Sequence, residues 1–597
     1  MRTRMNAIIT LKSDLCVGSG FSYAGTVDSD ICFTDGGLPY IPARRIKVCL
    51  KECAEMISSE HIEQIFGTRG NDSSGSLRLS DAYLKDNQEY LAQLRQLRNS
   101  EYRDIFSTQA VLNQLTYVKA QTAINKESGK AEDNSLRFMR VVNHYAKENV
   151  ENVFILEFEI DKIYKEEISR IFKALRNIGM NRNRGLGAVS CRVKEIESVA
   201  VREEKKEYDS NKKYIINYSI KNVQPLMMSN ENDEKSETYI SGQSVLGFFA
   251  SGYDGNQSSF DDLFLKGNTI FSNLYLEEDG IRFIPVPMYI NKLKKTKVLV
   301  NSLLENNSDN PLYSTGNGNL PKQINSEYIS LKDNKAKLKT PLLDVVYHHS
   351  KRSEDNPDGV LYYFTEMNKN QTFRGYIITS GDNVNFTLNT LENHSMYFGK
   401  SKSAQYGKCL CLPESICVNE YTERIIHLEK GSRFMVNLAS DGIFIKESEE
   451  NAYYTVLAED IKKIIAEELG FTYEEDEAYR NYVKTKLITG YNTKWNLKRP
   501  SVLSVAAGSC FEYVLNEDAD INISPIGERN HEGFGEFTIS TFDDMNYVLS
   551  EDSEENNKEA VLPKNANELI NRIIIDSLYT KLFDESLKEK RSFQLNN

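Results

Sequence analysis

The chain has 597 residues, of which 40% are hydrophobic and 27% charged, the balance of an ordinary globular protein. This length predicts about three or four domains. The 73 Lys and Arg residues against 86 Asp and Glu leave a net charge of −13, which excludes a protein that coats nucleic acid with its whole surface but allows one basic groove. An odd number of cysteines predicts free thiols, and the absence of a signal-peptide core predicts a cytoplasmic protein.

The first 200 residues contain both halves of a split βαβ pattern. Residues 7–11 predict a strand, and after a glycine-rich turn residues 26–33 predict a second strand and residues 44–57 a helix. Residues 153–160 and 188–196 predict two more strands. The helical stretch between them has an apolar face formed by Ile163, Ile168, Ile171, Phe172, Leu175 and Ile178. This order of elements is typical of a ferredoxin-like unit.

Two kinds of segment recur along the chain. Residues 40–46 resemble residues 239–245, and both precede an apolar pattern of helical period. A glycine turn occurs at residues 184–188, 405–408 and 532–536, each time before a strand-like run. The recurrence predicts three copies of one supersecondary unit.

Charged and polar segments separate these copies. Residues 201–213 predict a solvated linker, after which a new strand begins. A third unit starts near Gly431, with strands within residues 433–445. Its predicted helix, 456–469, has an apolar face formed by Val456, Leu457, Ile461, Ile464, Ile465 and Leu469. Residues 301–339 are rich in Asn, Ser and Lys and predict a mobile insertion.

The C-terminal part is predicted to be helical. Residues 551–558 predict an acidic loop, and residues 566–590 a helix. We therefore predict an α+β protein of tandem ferredoxin-like domains with inserted loops and a C-terminal helical segment. The predicted boundaries are 1–200, 213–425, 430–545 and 560–597, of which the second and third are two RRM-like units.

Two of the glycine turns are basic. The first lies among Arg176, Arg182, Arg184, Arg192 and Lys194, and the second among Lys400, Lys402 and Lys408, with no acidic residue in either run. Glycines let backbone N–H groups approach a phosphate, and arginine supplies a fork of donors. The third turn, with the residues before it (527–536), carries three glutamates and has lost this character. We predict phosphate contacts at the first two turns, the alternative being plain structural turns. Neither matches a dinucleotide fingerprint or a P-loop.

A single carboxylate, Asp28, follows a turn at residues 25–27. RNA carries its own nucleophile, the 2′-hydroxyl, so cleavage needs in-line positioning and one group or metal that helps to move a proton. Asp28 is therefore a candidate catalytic residue. Its alternative role is that of an ordinary turn or capping residue.

Other candidate sites find little support in the sequence. The seven histidines lack the spacing of metal ligands. Cys49 and Cys53 lie one helical turn apart, as core residues of a helix do, and Cys409, Cys411 and Cys417 do not form a zinc motif. No Ser-His-Asp or Cys-His arrangement stands out. We predict no structural metal.

Four ordered motifs resemble the RAMP superfamily of CRISPR effector subunits. The matching segments are residues 25–28 with 38–47, 65–67 with 75–82, 122–137, and 184–187. Residues 122–137 resemble the projecting thumb of backbone subunits in type III complexes. The rest of the chain resembles, more loosely, the cap subunit that holds the 5′ handle of the guide, at residues 242–247, 399–408, 498–509 and 533–535. Such a fusion is similar to the large RAMP protein of subtype III-D.

The resemblance implies a cytoplasmic subunit that binds guide RNA (crRNA) in a type III CRISPR ribonucleoprotein for antiviral defence. Asp28 matches the position at which backbone subunits cleave guide-paired target RNA with Mg²⁺ or Mn²⁺. The implied partners are guide RNA, target RNA, other RAMP subunits and a large polymerase-like subunit. The residues implied to contact RNA are Arg44, Arg45, Lys47, Arg137, Arg182, Arg184, Gly185, Gly187, Gln243, Ser244, Lys400, Lys402 and Lys408.

The sequence departs from the family pattern in three places. Ala43 and Val48 stand where family members have glycine, so the backbone comes less close to RNA, and Ser241 replaces a proline. Two alternatives stay open beside the RNA-cleaving subunit. One is a non-catalytic cap subunit in which Asp28 is a turn residue. The other is a stand-alone endonuclease that processes guide precursors with His and Tyr as acid–base groups.

Overall fold

The computed structural model describes residues 2–20, 22, 26–68, 75–99, 102–147, 150–196, 206–228, 235–253, 255–293, 298–301, 321–324, 327–332, 335–349, 361–393, 395–447, 451–475, 480–492, 497–541, 546–549 and 568–595. Gly25 of the predicted turn, the predicted acidic loop 551–558, and parts of the predicted linker and insertion lie outside these residues. Among the described helices, none is long and apolar enough to span a membrane.

The chain divides into two compact units. The first comprises Met1–Val199, Ser403–Gln405 and Ser553–Asn597, and the second Ala200–Lys402 and Tyr406–Asp552. Each has its own apolar core, because the buried residues of the two units form separate clusters.

The first unit is built on a six-stranded antiparallel sheet. Its elements are β1 (Arg2–Leu11), β2 (Tyr40–Ile41), α1 (Ala43–Met56), α2 (Ile62–Phe66), β3 (Arg78–Leu79), β4 (Ala82–Leu84), α3 (Asn87–Arg98), α4 (Thr108–Leu115), β5 (Thr116–Gln121), β6 (Arg137–Val142), β7 (Tyr145–Lys147), β8 (Val150–Glu151), β9 (Val153–Asp161), α5 (Lys165–Ala174) and β10 (Val189–Glu195). The sheet order is β10-β1-β9-β4-β2, with β3 also on β9. With α1 after β1 and α5 after β9, this is the order of a split βαβ unit.

Alternating side chains explain how this sheet packs. Met5, Ala7, Ile9 and Leu11 of β1 are all buried on one face, as strand periodicity requires. Ile168, Ile171 and Phe172 of α5 cover that core. The helix predicted after the third strand is thus confirmed, but Ile163 is 80% exposed, because residues Lys162–Tyr164 form a short 3₁₀ turn before α5 begins.

The strand predicted at residues 26–33 is wrong. The segment forms no strand and makes isolated bridges, among them Ser29 to Met139, Gly18 to Ile31 and Phe33 to Pro39. Val27 and Ile31 are buried while Asp28 is exposed, which gives the alternation that looked like a strand. The other strands and the helix α1 occur where the sequence predicts them.

The second unit contains two further sheets with the same internal order. The first part has β11 (Lys213–Asn222), α6 (Gly242–Ser251), α7 (Gln257–Phe264), β12 (Ile270–Phe271), β13 (Tyr275–Glu278), β14 (Ile281–Arg282), β15 (Ile284–Pro285), β16 (Ile290–Leu293), β17 (Val298–Asn301), β18 (Pro321–Gln323), β19 (Tyr328–Lys332), β20 (Lys335–Lys339), β21 (Leu343–His349), β22 (Leu361–Met367), β23 (Thr372–Ser380), α8 (Gly381–Asn393), β24 (Met396–Tyr397), β25 (Lys408–Cys411) and β26 (Cys417–Glu420). Its main sheet is ordered β14-β13-β23-β11-β25-β24.

The remainder of this unit repeats the order around a smaller sheet. Its elements are β27 (Ile425–Leu428), β28 (Arg433–Leu438), β29 (Phe444–Glu447), β30 (Ala452–Thr455), α9 (Ala458–Leu469), β31 (Asn481–Tyr482), β32 (Thr485–Asn492), β33 (Leu497–Val505), β34 (Cys510–Val514), β35 (Ala519–Asn522), β36 (Phe537–Thr541) and β37 (Asn546–Leu549). The sheet runs β31-β34-β28-β36. Helix α9 is confirmed, except that Leu457 precedes its first turn and is 65% exposed.

The mobile insertion predicted at residues 301–339 is wrong for the part that is described. Strands β18, β19 and β20 belong to a seven-stranded sheet, ordered β15-β19-β20-β37-β17-β16-β18. Ile329 and Ala336 are buried in its core, and Tyr328 is buried in the core of the main sheet of this unit. Polar composition hid these strands, because only a few apolar positions alternate in each one.

The C-terminal helix α10 (Glu568–Leu595) is part of the first unit. Leu569, Ile570 and Ile573 of its first turns are buried in that unit's core, and Arg572 donates to the carbonyl oxygen of Ala146 at 3.0 Å. The predicted C-terminal helix is confirmed, and burial of its first turns explains its place in the fold.

Candidate nucleic-acid interface

A loop described at residues 14–20 and 26–31 lies at the centre of the first unit's candidate site. Its carboxylate Asp28 is exposed beside β6. The backbone N–H of Asp28 donates to the carbonyl oxygen of Phe138 at 2.8 Å, and the N–H of Phe138 donates to Asp28 Oδ2 at 2.7 Å. Among the described residues no side chain or backbone group bonds the other oxygen, Oδ1. One oxygen thus fixes the carboxylate and the other faces outward.

A buried ion pair fastens this loop to the hairpin β5–β6. Asp30 is 2% exposed, and its Oδ1 lies 3.0 Å from Arg140 Nε on β6. The same oxygen accepts the N–H of Ile31, and the N–H of Arg140 donates to the carbonyl of Ser29 at 3.0 Å. The pair thereby holds Asp28 in register with the hairpin. No local signal in the sequence pointed to it, because its members are far apart in the chain.

A second carboxylate, Asp14, holds the other end of the hairpin. Its Oδ1 accepts both the backbone N–H and the ring Nδ1 of His144, at 3.0 and 2.6 Å, and its Oδ2 accepts the Tyr117 hydroxyl. Burial acts to raise the pKa of Asp14, but these hydrogen bonds outweigh it and lower that pKa. Burial and the bond to Asp14 raise the pKa of Tyr117 to about 12. No local motif in the sequence points to this cluster either, because Asp14, Tyr117 and His144 are far apart in the chain.

The first glycine turn packs against the same loop. The N–H of Gly187 donates to the carbonyl of Asp14, and the N–H of Met180 donates to the carbonyl of Cys16, both at 2.8 Å. Gly187 has φ +74, and a Cβ there would lie 1.9 Å from the carbonyl oxygen of Ile178. Gly185, with φ +85, has nothing within 4 Å of a Cβ. Gly187 is therefore required by the protein's own packing, while Gly185 lies open to a ligand.

Several predicted RNA-binding arginines lie around this loop. Arg137 and Arg184 are exposed, and Arg45 reaches the carbonyl of Gly18 at 3.4 Å. Arg182 donates to Glu52 Oε2 on α1 at 2.7 Å, and this bond raises its pKa. The structure thus brings together Asp28 and cations from three separate segments, although the Glu52 contact offsets one of those charges.

The two remaining predicted RNA-binding residues of α1 differ in exposure. Arg44 is exposed on its first turn. Lys47 is half-buried, and its Nζ donates to Ser403 Oγ at 2.9 Å. Burial, with a smaller contribution from Lys51, lowers the pKa of Lys47. Lys47 therefore already has a hydrogen-bond acceptor within its own unit.

All three glycine turns share one backbone geometry. In each turn a backbone N–H donates to the carbonyl oxygen of the residue nine positions later. The pairs are Ile178 with Gly187, Phe398 with Gly407, and Ile526 with Gly535. The residues after these N–H donors, Gly179, Gly399 and Gly527, all have positive φ and approach a carbonyl oxygen where a Cβ would fall, at 2.3, 2.4 and 2.4 Å. The prediction of one recurring turn is confirmed, and each turn precedes a strand.

The predicted RNA-binding residues of the second unit are less exposed than Arg137 and Arg184 of the first. Lys400 and Lys402 are partly exposed on the second glycine turn, while Lys408 is buried at the start of β25. Ser244 helps to close the N-terminus of α6, where its N–H donates to Ser241 Oγ at 3.3 Å. Gln243 Nε2 lies 2.7 Å from the point that a Cβ on Gly490 of β32 would occupy. Of these residues, all except Lys408 are partly exposed.

Among the described residues, no group of three or more His, Cys, Asp or Glu side chains could hold a metal ion. Mg²⁺ in phosphate chemistry is usually bound by one or two carboxylates together with waters and substrate phosphates. The outward oxygen of Asp28 fits that mode, and Asp30 is already committed to Arg140.

Comparison with protein-family models matches one part of the chain. Residues 8–190 match the family model described as the RAMP superfamily. Residues 8–190, which lie within the first unit, are therefore similar to the RAMP superfamily. This confirms the resemblance predicted for that part of the chain. A search of the curated proteins finds no match.

Two solved structures also align with this chain. One is a cryo-EM structure of the type III-B Cmr-beta bound to cognate target RNA, which is 14% identical over 32% of this chain and 96% of its own, with a TM-score of 0.25. The other, of type III-B Cmr-beta in the apo state, is 14% identical over 33% of this chain and 98% of its own, with a TM-score of 0.24.

Proposed function

We propose that this chain is a guide-RNA-binding subunit of a type III CRISPR ribonucleoprotein that acts in antiviral defence. The observation that carries the proposal is the gathering of Asp28, Arg137 and Arg184 around one loop of a domain similar to the RAMP superfamily. Exposed arginines contact RNA phosphates without reading base sequence, which suits a protein that must accept any guide.

The second unit is proposed to be cap-like and to hold the 5′ handle of the guide. Its two sheets have the internal strand order of the first unit's sheet, and all three carry the same glycine turn. We infer that the chain consists of three ferredoxin-like units in tandem. Guide and target RNA, other RAMP subunits and a large polymerase-like subunit are the proposed partners, in a complex of subtype III-D.

Cleavage of guide-paired target RNA at Asp28 is the proposed activity. The bond from Phe138 N–H orients the carboxylate, so that its outward oxygen Oδ1 can accept the proton of a 2′-hydroxyl while the 2′-oxygen bonds to the adjacent phosphorus. The bond from phosphorus to the 5′-oxygen breaks, and the leaving 5′-oxygen takes a proton from water, which leaves a 2′,3′-cyclic phosphate. The ion pair of Asp30 with Arg140 keeps the loop in place, and Arg137 and Arg184 offer charge to the phosphates. A Mg²⁺ ion held by Asp28 and the RNA would stabilise the developing negative charge.

Removal of two exposed arginines tests RNA binding by the first unit. We expect the double variant Arg137→Ala/Arg184→Ala to weaken binding of guide RNA by the full chain, and to make the slope of log Kd against log salt shallower by about 1.4, since each lost contact to single-stranded RNA accounts for about 0.7. Filter binding across a range of NaCl concentrations measures both. The matched control, Lys162→Ala/Lys173→Ala, removes two exposed charges near α5 and should leave the slope unchanged. Equal slopes for both variants would contradict the proposal.

A further inference from the structure

Each of the three sheets carries a two-stranded antiparallel hairpin at the same point of its chain path. Hairpin β5–β6 lies between β4 and β9, hairpin β21–β22 between β13 and β23, and hairpin β32–β33 between β31 and β34. In the strand order shared by the sheets, all three connect the second strand with the third. The first of them bears the contact to Asp28. Because the strand order is shared, the other two hairpins occupy equivalent positions in their own sheets.

The three hairpins differ in charge. The strands of β21–β22 contain Asp344 and Glu366 and no Lys or Arg. In contrast, residues 478–511, which include β32 and β33, contain no acidic residue although the chain as a whole has a net charge of −13. Arg480, Lys484 and Lys498 are exposed there. The third hairpin is therefore a local basic surface on an acidic protein, which attracts a polyanion.

An aromatic ring stands next to one of these cations. Tyr491 on β32 is directly opposite Lys498 on β33, and 36% of Tyr491 is exposed. Leu487 and Leu503 form another exposed cross-strand pair. Aromatic rings on which bases stack, beside cations that meet phosphates, are the combination that proteins use to bind single-stranded nucleic acid.

Two ion pairs fix this hairpin, one at its foot and one near its turn. Lys486 is largely buried, with its Nζ 3.0 Å from Glu237 Oε1 and 3.1 Å from Asp441 Oδ2. Arg499 forms a forked pair with Glu532, at 2.9 and 3.1 Å. These two cations serve the protein's own structure, while Lys484 and Lys498 remain on the surface.

The pair with Arg499 accounts for one acidic residue of the third glycine turn, Glu532. Glu532 stands in that turn where Arg184 stands in the first, counted from the shared N–H donor. Its carboxylate is 5% exposed and also pairs with Arg529. Whereas the first turn presents an arginine to solvent, the third uses a carboxylate to hold β33 of its hairpin at Arg499.

We propose that hairpin β32–β33 is a second RNA-binding arm, which holds single-stranded RNA by stacking a base on Tyr491 and by contacts from Lys484 and Lys498 to phosphates. The inference rests on the proposed function and extends it to a site in the second unit. The hairpin β21–β22, which has acidic residues and no Lys or Arg in its strands, lacks this role.

Binding of an oligouridine of about 16 nucleotides to the full chain tests the arm. We expect Lys484→Ala/Lys498→Ala to make the salt slope shallower by about 1.4, and Tyr491→Ala to weaken binding about 5-fold to 100-fold, the range for one lost base stack. The controls are Lys213→Ala/Lys430→Ala, two exposed lysines elsewhere in the same unit, and Tyr347→Ala on hairpin β21–β22. Both should bind as the unaltered chain does.

The outcomes separate the arm from the proposed function. If Arg137→Ala/Arg184→Ala weakens binding while the β32–β33 variants bind like their controls, the arm is refuted and the function stands. If the unaltered chain does not bind the oligouridine, both are refuted. Cross-linking of the same RNA carrying 4-thiouridine supplies a readout without substitution, and we expect cross-linked peptides from residues 485–505. Cross-links confined to residues 1–199 would also overturn the arm.

Discussion

At the scale of single residues, Asp14 links chemistry to stability. Burial acts to raise its pKa, but hydrogen bonds from Tyr117 and His144 outweigh burial and hold that pKa below its ordinary value. A carboxylate of this kind stabilises the fold above its unfolded-state pKa, about 3.9, and the contribution is lost as the pH falls through the lower folded value. Asp14 is therefore a residue whose charge matters at neutral pH and not in strong acid.

We expect Asp14→Asn to lower the free energy of unfolding at pH 7 by about 1–3 kcal/mol, because an amide accepts these hydrogen bonds less strongly than a carboxylate. The difference from the unaltered chain should shrink below about pH 4. Thermal unfolding across this pH range, followed by circular dichroism, measures it. The control, Asp133→Asn, alters an exposed carboxylate on the turn of hairpin β5–β6. A pH-independent difference would show that the charge of Asp14 is not the cause.

At the scale of elements, two glycines of the first glycine turn have different roles: Gly187 is needed for packing, and Gly185 is accessible to a ligand. Gly187→Ala would place a Cβ 1.9 Å from the carbonyl oxygen of Ile178, whereas Gly185→Ala meets no atom within 4 Å. Both residues have positive φ, so each substitution costs about 1 kcal/mol of backbone strain. Only Gly187→Ala adds a clash with backbone, so we expect it to cost about 3 kcal/mol or more. Urea unfolding of the two variants measures the difference, and equal losses would contradict this geometry.

Elements with a strong period were predictable from the sequence, and those held by distant contacts were not. Helix α1 and strands β1, β9 and β10 follow from the spacing of their apolar residues. The loop 26–33 has the alternation of a strand, but the pair of Asp30 with Arg140 draws it onto β6 instead. The strands β18–β20 were missed because their composition is polar and few apolar positions alternate in each one.

The candidate site shows the same limit. Asp28, Arg184 and Gly185 were predictable because each lies in a short motif, and the structure places them around one loop. Asp14 and His144 carry no local motif, since only the folded chain brings them to 2.6 Å. The sequence therefore identified residues that face solvent better than those that hold them in place.

At the scale of the whole molecule, the chain repeats one plan three times and varies its surface. The strand order, the glycine turn and the position of the hairpin recur in all three sheets. What changes is the side chain at each equivalent place, as with Arg184 in the first turn and Glu532 in the third. Positive charge is concentrated in a few such places, which reconciles a net charge of −13 with a proposed RNA ligand.

The most direct test of the proposal uses the assembled, guide-loaded complex. End-labelled complementary RNA is added with Mg²⁺, and the cuts are mapped for the unaltered chain, for Asp28→Ala and for the control Asp133→Ala. The proposal predicts that Asp28→Ala removes one cut and leaves those of other subunits, while the control retains every cut. If every cut persists in Asp28→Ala, Asp28 does not carry the chemistry and the chain only positions RNA for its neighbours.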